Sequence, residues 1–140
     1  MSVLGELQPN KVFKYFEEIC SIPHGSRNLQ QISDYLVDFA KAHELKYRQD
    51  EDLNVIIWKD GSKGYEASEP VILQGHMDMV AVKEADCDKD MEKEGLDLEI
   101  NGDYISAKGT SLGGDDGIAV AYTLAVLDDE EMAHPPIEAI

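Results

Sequence analysis

Residues 109–127, Gly109-Thr110-Ser111-Leu112-Gly113-Gly114-Asp115-Asp116-Gly117 followed by Ile118-Ala-Val-Ala-Tyr-Thr-Leu-Ala-Val-Leu127, set the fold class of this chain. A glycine-rich connection that leads through two adjacent acids into an apolar run rich in Ala, Val and Leu reads as a loop entering a buried helix. Strand signals lie on its N-terminal side. Leu96, Leu98 and Ile100 alternate, Asn101-Gly102 marks a turn, and Tyr104-Ile105-Ser106 returns, which is a β-hairpin pattern over Leu96–Ala107. Further upstream, Pro70–Val80 (PVILQGHMDMV) opens with Val71-Ile72-Leu73, the signature of an interior strand, and Leu53–Lys59 (LNVIIWK) is β-branched and aromatic before the turn pair Asp60-Gly61.

The chain begins with two helical stripes. Over Pro9–Ile22, Val12, Phe13, Phe16, Ile19 and Cys20 share one face; Pro9 suits a first turn and Pro23 ends the pattern. From about Asn28 to His43, Ile32, Tyr35, Leu36, Phe39 and Ala40 repeat it, with Asn28 as the candidate N-cap. Lys83–Lys93 is dense in charge and reads as a solvated loop. At the other end, Ile137-Glu138-Ala139-Ile140 reads as a strand just beginning, with nothing after it to join. Helices, strands and then strand–loop–helix make an α/β protein.

At 140 residues the chain has the length of one ordinary domain. Its net charge is −17, and most of that falls in the second half, where four basic residues stand against seventeen acidic ones. Nucleic-acid backbones and anionic membranes need basic patches, so neither is an expected partner. No apolar run reaches the length of a membrane span, and residues 1–18 lack the basic and apolar regions of a signal peptide. Cys20 and Cys87 make no disulfide framework, which fits a reducing cytoplasm. Concentrated acid serves solubility or the binding of multivalent cations.

Two short segments carry chemistry. In Gly75-His76-Met77-Asp78, side chains two apart on an extended strand face the same way, so His76 and Asp78 stand side by side. A metal-binding imidazole usually donates its other N–H to a carboxylate, which Asp78 could supply; an ordinary histidine at a strand end is the simpler reading. In Gly113–Gly117, the paired acids either cap the helix that follows or turn one carboxylate inward, where a divalent metal would compensate its charge. No Gly-Lys-Ser/Thr follows the glycines, so this is not a nucleotide-binding P-loop, and the acid spacing is not that of an EF-hand.

Taken with Ile19-Cys20-Ser21-Ile22-Pro23-His24, the blocks Val71–Val80 and Lys108–Ile118 resemble the M20 family of dizinc peptidases, and within it the bacterial aminoacyl-histidine dipeptidases. The resemblance covers nearly the whole chain, in order. It implies a zinc-peptidase catalytic domain with a mixed β-sheet flanked by helices, of which residues 1–140 would be the N-terminal part; the rest of that domain and a lid domain would lie outside this sequence. It implies that His76 ligates one zinc, that Asp78 orients the imidazole, and that Asp115 bridges two zincs, with a cis peptide between Asp115 and Asp116. Cobalt or manganese can replace zinc in such sites. The general-base glutamate and an adjoining glutamate ligand would follow in the next strand, beyond Ile140. Glu130-Glu131 precede the Pro-Pro step in a polar run and are not that pair. Close relatives often carry Ala-Asp-Asn where this chain has Gly114-Asp115-Asp116.

The implied activity of the parent is zinc-dependent hydrolysis of dipeptides, Xaa-His among them, in the cytoplasm and as a possible homodimer, with residues 1–140 inactive alone. The wider superfamily also contains N-deacylases and other amidohydrolases. A non-catalytic acidic metal-binding or interaction module is the reading from a different class. The remaining candidates are assigned bland roles: His24 a structural turn, His43 solvated surface at a helix end, His134 a loop, Trp58 and the tyrosines packing, Cys20 an inert core thiol, Cys87 an exposed one with no partner to activate it.

Overall fold

The computed structural model describes residues 2–140. In chain order it contains helices α1 (Asn10–Cys20) and α2 (Gln30–Ala42), strands β1 (Lys46–Gln49), β2 (Val55–Lys59), β3 (Val71–Leu73), β4 (Leu98–Asn101) and β5 (Tyr104–Ala107), helix α3 (Gly114–Leu127) and strand β6 (Ile137–Ala139). The main sheet runs β1-β2-β6-β3, while β4 and β5 form a separate hairpin. β2 is antiparallel to both β1 and β6, and β6 is parallel to β3, so the sheet is mixed. The α/β class and the flanking helices stand as expected.

The apolar stripe of α1 buries Val12, Phe16, Ile19 and Cys20, and that of α2 buries Ile32, Leu36, Phe39 and Ala40. α3 is apolar on nearly every side and packs on α1, with Val120, Ala121, Leu124 and Leu127 in the core. At Gly117 it passes so close to α1 that an added Cβ would lie 3.4 Å from the Phe16 ring. Cys20 is 1% exposed, and burial pushes its thiol up to about 12, so it is inert as expected.

Several local expectations are corrected. Val71-Ile72-Leu73 is not an interior strand: β3 is the last strand of the described sheet, and Val71 and Ile72 are exposed. Ile137–Ala139 does find partners. It inserts between β2 and β3, with Ile137 opposite both Lys59 and Val71. β1 carries the polar sequence KYRQ and escapes pattern reading, because its strand state comes from pairing with β2. Asn28 does not cap α2; its amide donates instead to the Glu92 carbonyl, 3.0 Å away. That bond ties the charged loop, otherwise largely exposed, to the start of α2. Tyr15 is buried, but Tyr47, Tyr65, Tyr104 and Tyr122 are exposed rather than packing residues. Trp58 is half-buried, under the Lys46 ammonium at 5.1 Å from its ring.

His43 is not solvated surface either. Its ring stacks on Phe39, 4.1 Å between centroids, and Nε2 lies 3.0 Å from Asp128 Oδ1. Asp128, just past α3, also accepts from the Tyr15 hydroxyl at 2.8 Å and pairs with Lys11 at 3.4 Å, so one carboxylate joins all three helices. Partial burial alone would raise its pKa, but the Tyr15 and Lys11 hydrogen bonds prevail and hold it below the ordinary value. A carboxyl depressed in the folded state stabilises the fold fully above its unfolded pKa of about 3.9, and that contribution is lost as pH falls through the lower folded value. Urea unfolding is therefore expected to show a smaller loss of stability between about pH 5 and pH 3 in Asp128→Asn than in the unaltered chain. Equal losses would remove Asp128 from the account of acid sensitivity.

Candidate metal centre

His76 and Asp78 lie just beyond the end of β3 and not within the strand itself. The expected juxtaposition nevertheless holds. His76 Nδ1 donates to Asp78 Oδ1 at 3.1 Å and lies 3.0 Å from the Asp78 carbonyl oxygen. The other carboxylate oxygen, Oδ2, accepts from the Ser26 hydroxyl at 2.6 Å. That bond is the main reason the Asp78 carboxyl lies below its usual range.

The second segment arrives from the far side. Gly113 takes φ +71°, a left-handed conformation that costs a Cβ-bearing residue roughly 1–2 kcal/mol, and an added Cβ would fall 2.9 Å from both Cβ and Sδ of buried Met79. Glycine is required here on both counts. The next residues depart from helical geometry at Asp115 (φ −94°, ψ 100°) and Asp116 (φ −121°, ψ 23°), and the peptide between them is cis, as the family resemblance implies. Neither carboxylate caps α3. Asp115 does not turn into the protein: its side chain is 96% exposed and reaches across the surface to His76, Oδ1 lying 3.0 Å from Nε2. Asp116 turns the other way, toward Gly75, where an added Cβ would stand 3.2 Å from its Oδ2.

His76 is thus held between two carboxylates, one at each ring nitrogen. The Asp115 hydrogen bond, with smaller help from Asp78, raises its pKa above the ordinary imidazole value. The donor chemistry suits a borderline ion such as zinc: an imidazole nitrogen, Nε2, whose ring is oriented from behind, and a carboxylate facing it. Among the described residues no third His, Cys, Asp or Glu joins these two closely enough to complete a metal site. Glu130 and Glu131 follow α3, about 20 Å along the helix from Asp115 at 1.5 Å per residue, so geometry excludes them as it did on sequence grounds.

The end of β6 lies next to the segment that carries His76. Because β6 and β3 run parallel, both deliver their C-terminal ends here, and Gly75 N donates to the Ile140 carbonyl at 3.0 Å. The remaining histidines stay apart from this group. His24 is 2% exposed, with Nδ1 2.6 Å from the Ile22 carbonyl, and burial keeps its pKa low. His134 is buried in the loop before Pro135, its Nδ1 2.8 Å from the Pro135 carbonyl. Cys87 is half-buried, against Gly109. Ser26 is the site residue that sequence reasoning missed. It lies fifty-two positions from Asp78, and no short-range pattern links the two.

The whole chain aligns with the cytosol non-specific dipeptidase of Escherichia coli (strain K12) at 40% identity over 140 residues, covering 29% of that protein. An aminoacylhistidine dipeptidase structure from Vibrio alginolyticus matches with a TM-score of 0.94 and 39% identity, over 97% of this chain and 28% of that one. The same fold recurs in a tripeptidase from Staphylococcus aureus (TM-score 0.73, 22% identity, 96% of this chain and 36% of that one). It recurs also in an aminopeptidase from Bacillus cereus (TM-score 0.71, 19% identity, 95% and 36%). No protein-family profile matches the chain. The chain therefore spans less than a third of the length of the curated dipeptidase it matches.

Proposed function

Since the chain belongs to the M20 peptidase family, we propose that residues 1–140 are the N-terminal part of the catalytic domain of a dizinc dipeptidase. The observation that carries this reading is the Asp78–His76–Asp115 row, in which two distant segments present an oriented imidazole and a carboxylate to one point. His76, through Nε2, and Asp115, through its carboxylate, would hold the zinc. Bound zinc ions supply electrophilic polarisation of a carbonyl and lower the pKa of a water.

The chain's own residues prepare that site. Asp78 accepts the Nδ1–H hydrogen bond and so keeps the proton on Nδ1, which would leave Nε2, once deprotonated, as the nitrogen for a metal. Gly113 and Met79 set the bend that brings Asp115 to the surface at His76. The general base in this reading is a glutamate outside the given sequence; the parallel pairing of β3 and β6, with Gly75 N donating to the Ile140 carbonyl, supports it by bringing the end of β6 next to the His76 segment. Dipeptides, including those with C-terminal histidine, are the substrate class, and the cytosol is the compartment. Both rest on the similarity to the cytosol non-specific dipeptidase of Escherichia coli and the aminoacylhistidine dipeptidase of Vibrio alginolyticus.

The test uses the full-length protein and residues 1–140 in parallel. Dipeptide hydrolysis by the full-length protein is expected to stop with a zinc chelator and return with added zinc, while residues 1–140 alone are expected to be inactive. Hydrolysis that survives complete metal removal would overturn the reading, as would hydrolysis by residues 1–140.

A further inference from the structure

Ser26 lies in the turn after His24, far in sequence from either metal-binding segment, and its hydroxyl makes a short hydrogen bond to the outer oxygen of Asp78, 2.6 Å. We propose that Ser26 is a positioning residue of the metal centre: it fixes the Asp78 carboxylate, and through it the ring of His76. The inference rests on the zinc-site reading above.

A carboxylate bound only at Oδ1 can still pivot about its Cβ–Cγ bond, and the imidazole it orients would pivot with it. With Oδ1 engaged by His76 Nδ1 and Oδ2 by Ser26, both oxygens are committed and the plane of the group is set. The turn that carries Ser26 is itself held by the backbone. Ser26 N donates to the Met79 carbonyl at 3.0 Å, and Met79 N donates to the His24 carbonyl at 3.0 Å. Gly25 is packed so tightly that an added Cβ would lie 2.8 Å from the Ala81 Cβ. The location of Ser26 thus does not depend on its hydroxyl. A Ser26→Ala variant keeps the turn and removes only the donor. Among the described residues the Met79 carbonyl, 3.4 Å from the Ser26 hydroxyl, is the one other acceptor near it, and that carbonyl already receives the Ser26 backbone N–H.

Zinc affinity of the full-length protein, measured by competition with a chromophoric chelator, tests the proposal. Outer partners of metal ligands typically contribute 10–100-fold to affinity, and Ser26→Ala is expected to weaken zinc binding about tenfold. Ser26→Thr, which retains the hydroxyl, is expected to restore it. Melting of the metal-free protein is expected to be the same in all three. In an Asp78→Asn background, Ser26→Ala is expected to have no further effect, because its route to the metal is already broken. Unchanged affinity in Ser26→Ala overturns the role, as do independent, multiplying effects of the two substitutions or equal damage from Ala and Thr. If the unaltered protein binds zinc and His76→Ala does not, while Ser26→Ala matches the unaltered protein, the positioning role alone fails. If the unaltered protein binds no zinc, the site reading fails and takes the role with it.

Discussion

Replacing His76 with alanine is expected to abolish peptide hydrolysis by the full-length protein while leaving its thermal stability unchanged. The side chain is 53% exposed, and its polar partners are Asp78 and Asp115. No core packing is removed with it, so little folding energy is at stake. Its contribution to the site is large by comparison. On the proposed zinc reading, loss of a direct ligand would remove the metal's support for the transition state, and a fall of about a thousandfold in kcat/KM corresponds to about 4 kcal/mol. Asp78→Asn, acting one step behind, is expected to cost about 10–100-fold. Steady-state rates at saturating zinc, with melting curves of the same samples, check both. Substantial activity in His76→Ala would remove it from the centre. A parallel collapse of the melting temperature would make its role one of folding.

Leu124→Ala is expected to act in the opposite way, costing about 2–5 kcal/mol of stability through lost burial and the cavity left behind. Leu124 is 1% exposed, on the helix that packs against α1 and beneath the sheet. Whole domains are stable by only about 5–15 kcal/mol, so this single change takes a large share. Ile72→Ala, on the exposed strand β3, removes a similar volume from a side chain that is 60% exposed, and is expected to cost far less, within about 0.5 kcal/mol if the site behaves as surface. Denaturant unfolding of the two variants side by side measures the contrast. Equal losses would mean that β3 is covered in solution.

Much of the architecture was legible residue by residue, for a physical reason. The stripes Val12–Phe16–Ile19 and Ile32–Leu36–Phe39 repeat at helical spacing, and burial of one face is a local demand that periodicity expresses directly. The hairpin of β4 and β5 announces itself through alternation and a tight turn, with Gly102 at φ +61° in the connection. Pattern reading failed where partners decide. Lys46–Gln49 has no strand signal and becomes β1 because β2 lies beside it. Val71–Leu73 has the strongest strand signal, yet Val71 and Ile72 lie exposed, because hydrophobicity says that a segment would gain from cover and not whether cover is present. His43 looked like surface until Phe39 and Asp128 closed on it.

The centre divides along the same line. By itself the sequence determined which groups could bind a metal, since His76 with an acid two positions on, and acids among glycines, are matters of residue type and short spacing. The glycines before Asp115 also marked a bend in the chain, but it took the structure to show that Gly113 turns left-handed against Met79. Only the tertiary structure decided that the two segments meet, His76 Nε2 facing Asp115 Oδ1 at 3.0 Å across thirty-nine residues. It alone turned Asp115 outward, took Glu130 and Glu131 to the far end of α3, and brought Ser26 to Asp78. Local chemistry is written in neighbouring residues. Contacts between distant ones are selected by how the helices and the mixed sheet pack, and no periodicity records that choice.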